Sequence, residues 1–222
     1  MNSKMRIISY NNFKWIQRDG FEKRDSLGFN TKETGIIKWL LEKSEEDFVF
    51  VDVGAHVGRW TLPASRVVRK VIAIEPLLDN FLGLIENLKL NSIKNVVPLM
   101  LALGSSKGEL VLEDTEYGRG HFSSQGQRVL MVRLDDIANK VDLVKIDVEG
   151  WELEVLKGMD RILSFWQPRI VVETHNDELR DKTIRLLESY GYKTLILKED
   201  DGVRAHHVGG YVEPEIIDGF EG

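Results

Sequence analysis

Phe48-Val49-Phe50-Val51-Asp52-Val53-Gly54-Ala55-His56-Val57-Gly58 is the stretch that decides the fold. Its apolar opening is unbroken and valine-rich, the pattern of a parallel strand buried on both faces. The run stops at Asp52 and turns over two glycines into a helical pattern. Glycine is needed where backbone passes close to a ligand, because a Cβ would collide with it. Strand, glycine turn and helix N-terminus together make a nucleotide-type binding corner. Asp52-x-Gly54-x-x-x-Gly58 is neither the G-x-G-x-x-G fingerprint nor a P-loop, so a pyrophosphate is not the favoured ligand. Asp52 suits a ligand with a cationic or zwitterionic end. The competing reading is a tight strand-to-helix turn that binds nothing, since short glycine motifs have many false positives.

Working outward, Val71-Ile72-Ala73-Ile74 is a second buried strand, ending in Glu75-Pro76. An acid at the end of the second strand of a βαβ unit can accept both ribose hydroxyls. Between the two strands residues 59–68 are helical, with Pro63 either in a late first turn or at a kink. Leu78, Phe81, Leu82, Ile85 and Leu88 space an amphipathic helix that stops at Asn91. Asn95 to Leu103 reads as a third strand, tolerating Pro98 only near an edge or its start. Gly108 to Leu112 and Arg128 to Leu134 are strands around a polar loop holding Tyr117, Arg119, His121, Ser123 and Ser124. Leu134-Asp135-Asp136-Ile137 reads as a single turn capped by its Asp pair.

Leu143 to Val148 is a further buried strand, interrupted by charge at Lys145 and Asp147. A helix over 151–157 ends at Gly158, and the strand Arg169 to Thr174 is closed by His175. A helix from Asp177 to Tyr190 and a hairpin over 194–212 complete the pattern. N-terminally, residues 1–30 interleave basic and aromatic residues and read as an arm packing its aromatics on the core. A helix capped by Asn30, with Ile36, Ile37, Leu40 and Leu41 on one face, follows it. Strands alternating with helices imply a doubly wound, mostly parallel α/β sheet, whose ligand lies at the carboxyl ends of the strands. Asp52, Glu75, Ala102, Asp147 and His175 all fall at such ends.

Composition narrows the chemistry. The 222 residues carry a net charge of −6, which argues against a nucleic-acid binder held by bulk electrostatics. With no cysteine, disulfides, thiolate nucleophiles and Cys-ligated metals are excluded. No apolar run is long enough to span a bilayer, and the first residues lack an apolar signal core. The expectation is a soluble cytoplasmic protein with no membrane partner.

The layout resembles the class I S-adenosylmethionine-dependent methyltransferases, through the acid-glycine turn 52–58 and Glu75-Pro76. It is closer still to the FkbM-type family. That likeness is carried by Val51 to Thr61, Ile74-Glu75-Pro76, Leu88-Lys89-Leu90-Asn91, Leu134-Asp135-Asp136-Ile137 and, above all, Val144-Lys145-Ile146-Asp147-Val148-Glu149-Gly150-Trp151-Glu152. The resemblance implies a Rossmann-like, seven-stranded, mostly parallel sheet with an antiparallel terminal strand and an inserted β-hairpin. The methyltransferase domain would span 46–212, after an N-terminal arm and helix at 1–45 and before an acidic tail at 213–222. S-adenosylmethionine is the implied cofactor. Gly54, Ala55, His56 and Gly58 would contact its methionine part through backbone groups, with Asp52 beside them. Glu75 would hold the ribose, while Pro76 and Leu77 with Ala102 and Leu103 would flank the adenine.

Methyl transfer needs an aligned nucleophile and, for an alcohol, a group to take its proton. Lys145, Asp147 and Glu149 share one face while the strand persists. Asp147, at the strand end, is the expected base or orienting group. Lys145 anchors it, and Glu149 points either into the cleft or along the dipole of the next helix. Glu152 is read as a helix-start residue. His175 is the alternative base. Asp147, Glu149, Glu173 and His175 are also types that ligate a divalent ion, but Lys145 opposes a cation, and no metal is expected. His206 and His207 read as surface or substrate rim. The leading function is transfer of a methyl group to a hydroxyl of a small molecule, most plausibly a sugar or glycan. The alternatives are an RNA ribose 2'-O-methyltransferase, using Asp147, Lys157 and Glu173, and a non-catalytic donor-binding module. Oligomeric state is open, with a homodimer among the options.

Overall fold

The structure, a computed structural model, describes residues 6–10, 12–17, 47–114, 120–122, 125–197 and 206–211. The expected helix after Asn30 and the acidic tail lie outside the described residues. The chain divides into two compact units, Met1–Ala102 with Gly108–Leu130, and Leu103–Lys107 with Met131–Gly222.

In the first unit β1 (Arg6–Tyr10) and β2 (Phe13–Gln17) form an antiparallel hairpin. It turns at Asn12, whose φ of 62° is a left-handed conformation that asparagine tolerates. Phe13 and Trp15 alternate inward and are buried, edge to face at 6.1 Å. Of the arm's aromatics Phe13 and Trp15 are packed, and their alternation makes 6–17 a strand pair; Phe21 and Phe29 lie outside the described residues.

The five residues of β3 (Val49–Val53) are all buried, as their apolar run predicts. The helix α1 (Thr61–Ala64) starts late, so Pro63 sits in its first turn, where a missing N–H leaves no bond unmade. The strands β4 (Lys70–Ile74) and β5 (Val96–Leu99), joined by α2 (Leu78–Leu90), continue a parallel ladder. The expected strand 95–103 is two strands, β5 and β6 (Ala102–Leu103), in different sheets. Pro98 lies opposite Ala73 on the edge strand β5, where its lack of a donor is tolerated. An antiparallel pair, β7 (Gly108–Asp114) and β8 (Gly120–Phe122), supplies the inserted hairpin, so His121 belongs to a strand and not to a loop. Tyr117, Arg119, Ser123 and Ser124 lie outside the described residues. With β9 (Gln127–Val132) these strands form a second sheet, ordered β6-β9-β7-β8.

In the second unit come α3 (Leu134–Ile137), β10 (Leu143–Ile146), α4 (Glu152–Lys157), a five-residue π-helix (Ile162–Trp166), β11 (Arg169–Thr174) and α5 (Asp177–Ser189). The strands β12 (Lys193–Leu197) and β13 (His206–Tyr211) follow. Asp135 does not cap its own turn. Its carboxylate accepts from the amides of Arg161 (2.9 Å) and Ile162 (3.0 Å), where the π-helix starts. The Arg161 guanidinium returns two bonds to the carbonyls of Asp135 and Ala138. β10 and β11 are parallel, and β13 is antiparallel to both β11 and β12. The main sheet has seven strands in the order β12-β13-β11-β10-β3-β4-β5. Its antiparallel strand sits one place in from the edge and not at it.

Candidate active site

The first group of candidate residues lies in the first unit, where β3 hands over to α1. Gly54, His56 and Gly58 have φ of 75°, 50° and 98°, so three left-handed residues fold the chain back within one turn. Gly54 and Ala55 both donate their amides to the Ile74 carbonyl, at 3.0 and 2.9 Å. Gly58 donates to Ala55. The amide of His56 goes to Glu75 Oε2 at 2.8 Å. Four of the five loop amides, those of Gly54, Ala55, His56 and Gly58, are thus bonded inside the protein. A Cβ on Gly58 would run into Leu62 Cδ1 and, at 2.8 Å, Leu84 Cδ1, so this glycine is fixed by packing.

Asp52 is fully buried and accepts from Thr61 Oγ1 at 2.6 Å, tying the strand end to the helix that follows. Glu75 is buried too. Besides His56 N–H, it accepts from Leu77 N–H (3.0 Å) and Asn80 Nδ2 (3.2 Å). One carboxylate therefore holds both the glycine loop and the entry of α2. An ordered carboxylate therefore stands at the end of β4. Pro76 is fixed by Gln127, whose amide donates to its carbonyl at 2.9 Å and accepts from Leu78 N–H. Leu77, Ala102 and Leu103 are buried.

Sequence reasoning missed Asn80, Asn87 and Gln127. Asn87 is fully buried, donates to the Val57 carbonyl (2.9 Å) in the glycine loop and accepts from Ile16 N–H of β2 (2.8 Å). The apolar spacing misled: Leu78, Phe81, Leu82, Ile85 and Leu88 put Asn80 and Asn87 on the opposite face, whereas α2 buries Asn80, Gly83, Leu84, Asn87 and Leu88 and leaves Leu78 and Leu82 exposed.

The second group lies in the second unit, just past the ends of the parallel neighbours β10 and β11. Lys145 is buried within β10, with its Nζ 3.7 Å from Asp147 Oδ2. His175 Nε2 stands 3.7 Å from Asp147 Oδ1, 3.6 Å from Glu149 Oε2 and 3.8 Å from Glu152 Oε1. The ligating atoms of Asp147, Glu149 and His175 lie within 4.8 Å of one another. Glu149 (φ 53°) and Gly150 (φ 103°) are both left-handed, and that turn brings Glu149 back toward the histidine. Non-glycine residues hold such angles only where the surroundings impose them.

Glu152, assigned from sequence to the helix start alone, is the first residue of α4 and also a member of this cluster. It is fully buried, and its Oε1 accepts from Gly150 N–H at 2.9 Å. Burial pushes its carboxyl up from the usual range. Asp147 beside it, with Glu149 and Glu152, outweighs burial at His175 and raises the imidazole to about 9. Lys157 is instead engaged with Glu154 at 2.6 Å. His206 and His207 pair through their backbone with Thr174 and Glu173 at the end of β11.

A mostly parallel seven-stranded sheet flanked by helices, with an acid and glycine turn after one strand, is the class I methyltransferase fold. The chain belongs to the FkbM methyltransferase domain family, which matches residues 52–194. It is 34% identical over 175 residues to the hexuronic acid methyltransferase AglP of Haloferax volcanii, covering 75% of this chain and 72% of that one. The structure of methyltransferase FkbM from Methylobacillus flagellatus KT superposes with a TM-score of 0.58 at 20% identity, over 74% of this chain and 44% of that chain. SMU.1697c of Streptococcus mutans, a putative methyltransferase solved with SAH, gives a TM-score of 0.59 at 12% identity, over 81% and 97% of the two chains. Among the described residues no helix is long and apolar enough to cross a membrane.

Proposed function

We propose that the protein moves a methyl group from S-adenosylmethionine to a hydroxyl of a sugar or glycan. The observation that carries this reading is the glycine turn buckled to Glu75 in the first unit; the second unit separately holds a carboxylate–imidazole cluster at the ends of β10 and β11. The first suits an adenosyl donor, with Glu75 taking the ribose hydroxyls and the 54–58 loop passing close to the methionine part. Buried Leu77, Ala102 and Leu103 give the apolar surround an adenine needs. Bound there, S-adenosylmethionine supplies an electrophilic methyl carbon. The likeness to a hexuronic acid methyltransferase supports a sugar as acceptor.

In the second cluster Asp147 orients the acceptor hydroxyl and receives its proton. Lys145 stands against one Asp147 oxygen. Glu149 lines the same pocket of charge. His175 stands beside the Asp147 carboxylate, and the acids around it raise its imidazole to about 9. The deciding experiment is transfer of a labelled methyl from S-adenosylmethionine to a panel of neutral sugars, hexuronic acids and their glycans. Asp147→Asn should lower kcat about 10²–10⁴-fold, the usual contribution of a positioned base. Full turnover in that variant rejects its role. A labelled product cleaved by mild alkali is an ester and would move the acceptor atom from a hydroxyl to a carboxylate.

A further inference from the structure

Three carboxylates converge on one imidazole nitrogen, and none of the three reaches it. The separations from His175 Nε2 are 3.6, 3.7 and 3.8 Å, beyond hydrogen-bond distance. His175 Nε2 is sealed from solvent and makes no hydrogen bond among the described residues. An imidazolium has one N–H at that atom, so it can serve one acceptor and not three. The second observation is independent of the cluster's acidity. Glu152 is fully buried behind the cluster; its Oε1, 3.8 Å from His175 Nε2, accepts from Gly150 N–H, and its Oε2 has no hydrogen-bond partner among the described residues. A buried carboxylate oxygen left without a partner is costly unless something binds it.

We infer that Asp147, Glu149 and His175, with Glu152 behind them, form a divalent-cation site. Ligands about 2.1 Å from a shared ion lie roughly 3.0–3.5 Å apart. The two His175 spacings exceed that by a few tenths of an ångström, and all three ligating atoms lie within 4.8 Å of one another, so the set closes inward on an ion. Lys145, the reason to expect no metal, sits on the other side of Asp147, against Oδ2, while Oδ1 faces His175. Carboxylate oxygens with one imidazole suit Mn²⁺ better than Mg²⁺, which favours oxygen ligands and retained water. Positions left open on the ion would take oxygens of the acceptor. That last role rests on the methyl-transfer reading, whereas the binding does not.

The test uses the full chain, stripped with chelator, dialysed and titrated with Mn²⁺ alone, following loss of the free-ion paramagnetic resonance signal. One ion per chain should bind. Glu149→Gln and His175→Asn should each weaken it about 10–100-fold with melting temperature and S-adenosylmethionine binding retained. Glu152→Gln is a weaker probe, because it also disturbs the Gly150 turn. Failure of the wild-type chain to bind Mn²⁺, or equal affinity in both variants, overturns the site. Methyl transfer that persists in chelated protein which binds no Mn²⁺ removes this inference and leaves the proposed function standing. Tight, variant-sensitive Mn²⁺ binding without transfer to any sugar upholds the site and removes the acceptor.

Discussion

Glu75→Gln tests the donor corner most directly. The glutamine keeps one oxygen and replaces the other with an NH₂ group. Its best placement leaves the oxygen on Leu77 N–H and Asn80 Nδ2, which turns the NH₂ toward the amide of His56. A donor then faces a donor. A hydrogen bond to a charged acceptor is worth about 1.5–3 kcal/mol, and leaving its partly buried donor unserved adds about 1 kcal/mol or more. The sum is about 2–4 kcal/mol. For a chain of this length that corresponds to a fall in Tm of roughly 5–15 °C. Thermal unfolding by circular dichroism reads it at pH 7, and calorimetric titration with S-adenosylmethionine reads the site. Donor affinity should fall with it, because the His56 turn and the acid thought to meet the ribose change together. A Tm within about 2 °C of wild type, on the same scale, would show that the carboxylate does not hold the loop.

Two further outcomes follow from packing and burial. Gly58→Ala puts a Cβ against Leu62 and Leu84 at a φ of 98°, combining left-handed strain of about 1–2 kcal/mol with overpacking of about 1–3 kcal/mol. Urea unfolding should show a loss of that combined order, and a loss near zero would mean the turn relaxes freely. Tyr192 is buried with its hydroxyl donating to the Pro168 carbonyl, and burial holds its phenol well above the ordinary range. A raised folded pKa contributes stability that is complete below the unfolded value near 10 and is lost as pH climbs past it. Stability should therefore fall above about pH 10, and Tyr192→Phe should flatten that fall.

The parallel strands were legible because continuous apolar runs such as Phe48 to Val51 have no other stable home. Glu75, Asp147 and His175 were legible at strand ends for the same reason, whereas Ala102 was misplaced, because the run from Asn95 breaks after Leu99 and Ala102 opens β6 in the other sheet. The β1–β2 hairpin was not, because its pattern is only five residues per strand and its charged positions mask the alternation of Phe13 and Trp15. Asp135 was recognised as a cap, but the amides it serves lie 26 and 27 residues downstream, and no local rule reaches that far. Glu152 was set aside because a helix-start glutamate is ordinary. Only the turn at Glu149 and Gly150 brings it within reach of His175.

Asn87 and Asn91 give the N-terminal hairpin a consequence for handling the molecule. Asn91 grips Lys14 through both its amide groups, and Asn87 takes Ile16 on one side while holding Val57 on the other. A shortened chain that begins after Gln17 would lose the outer half of each clamp. The damage would be transmitted through a single side chain, that of Asn87, to the glycine turn at Val57. Trimming the amino end to ease crystallisation would therefore loosen a turn from which the trimmed strands are distant in sequence.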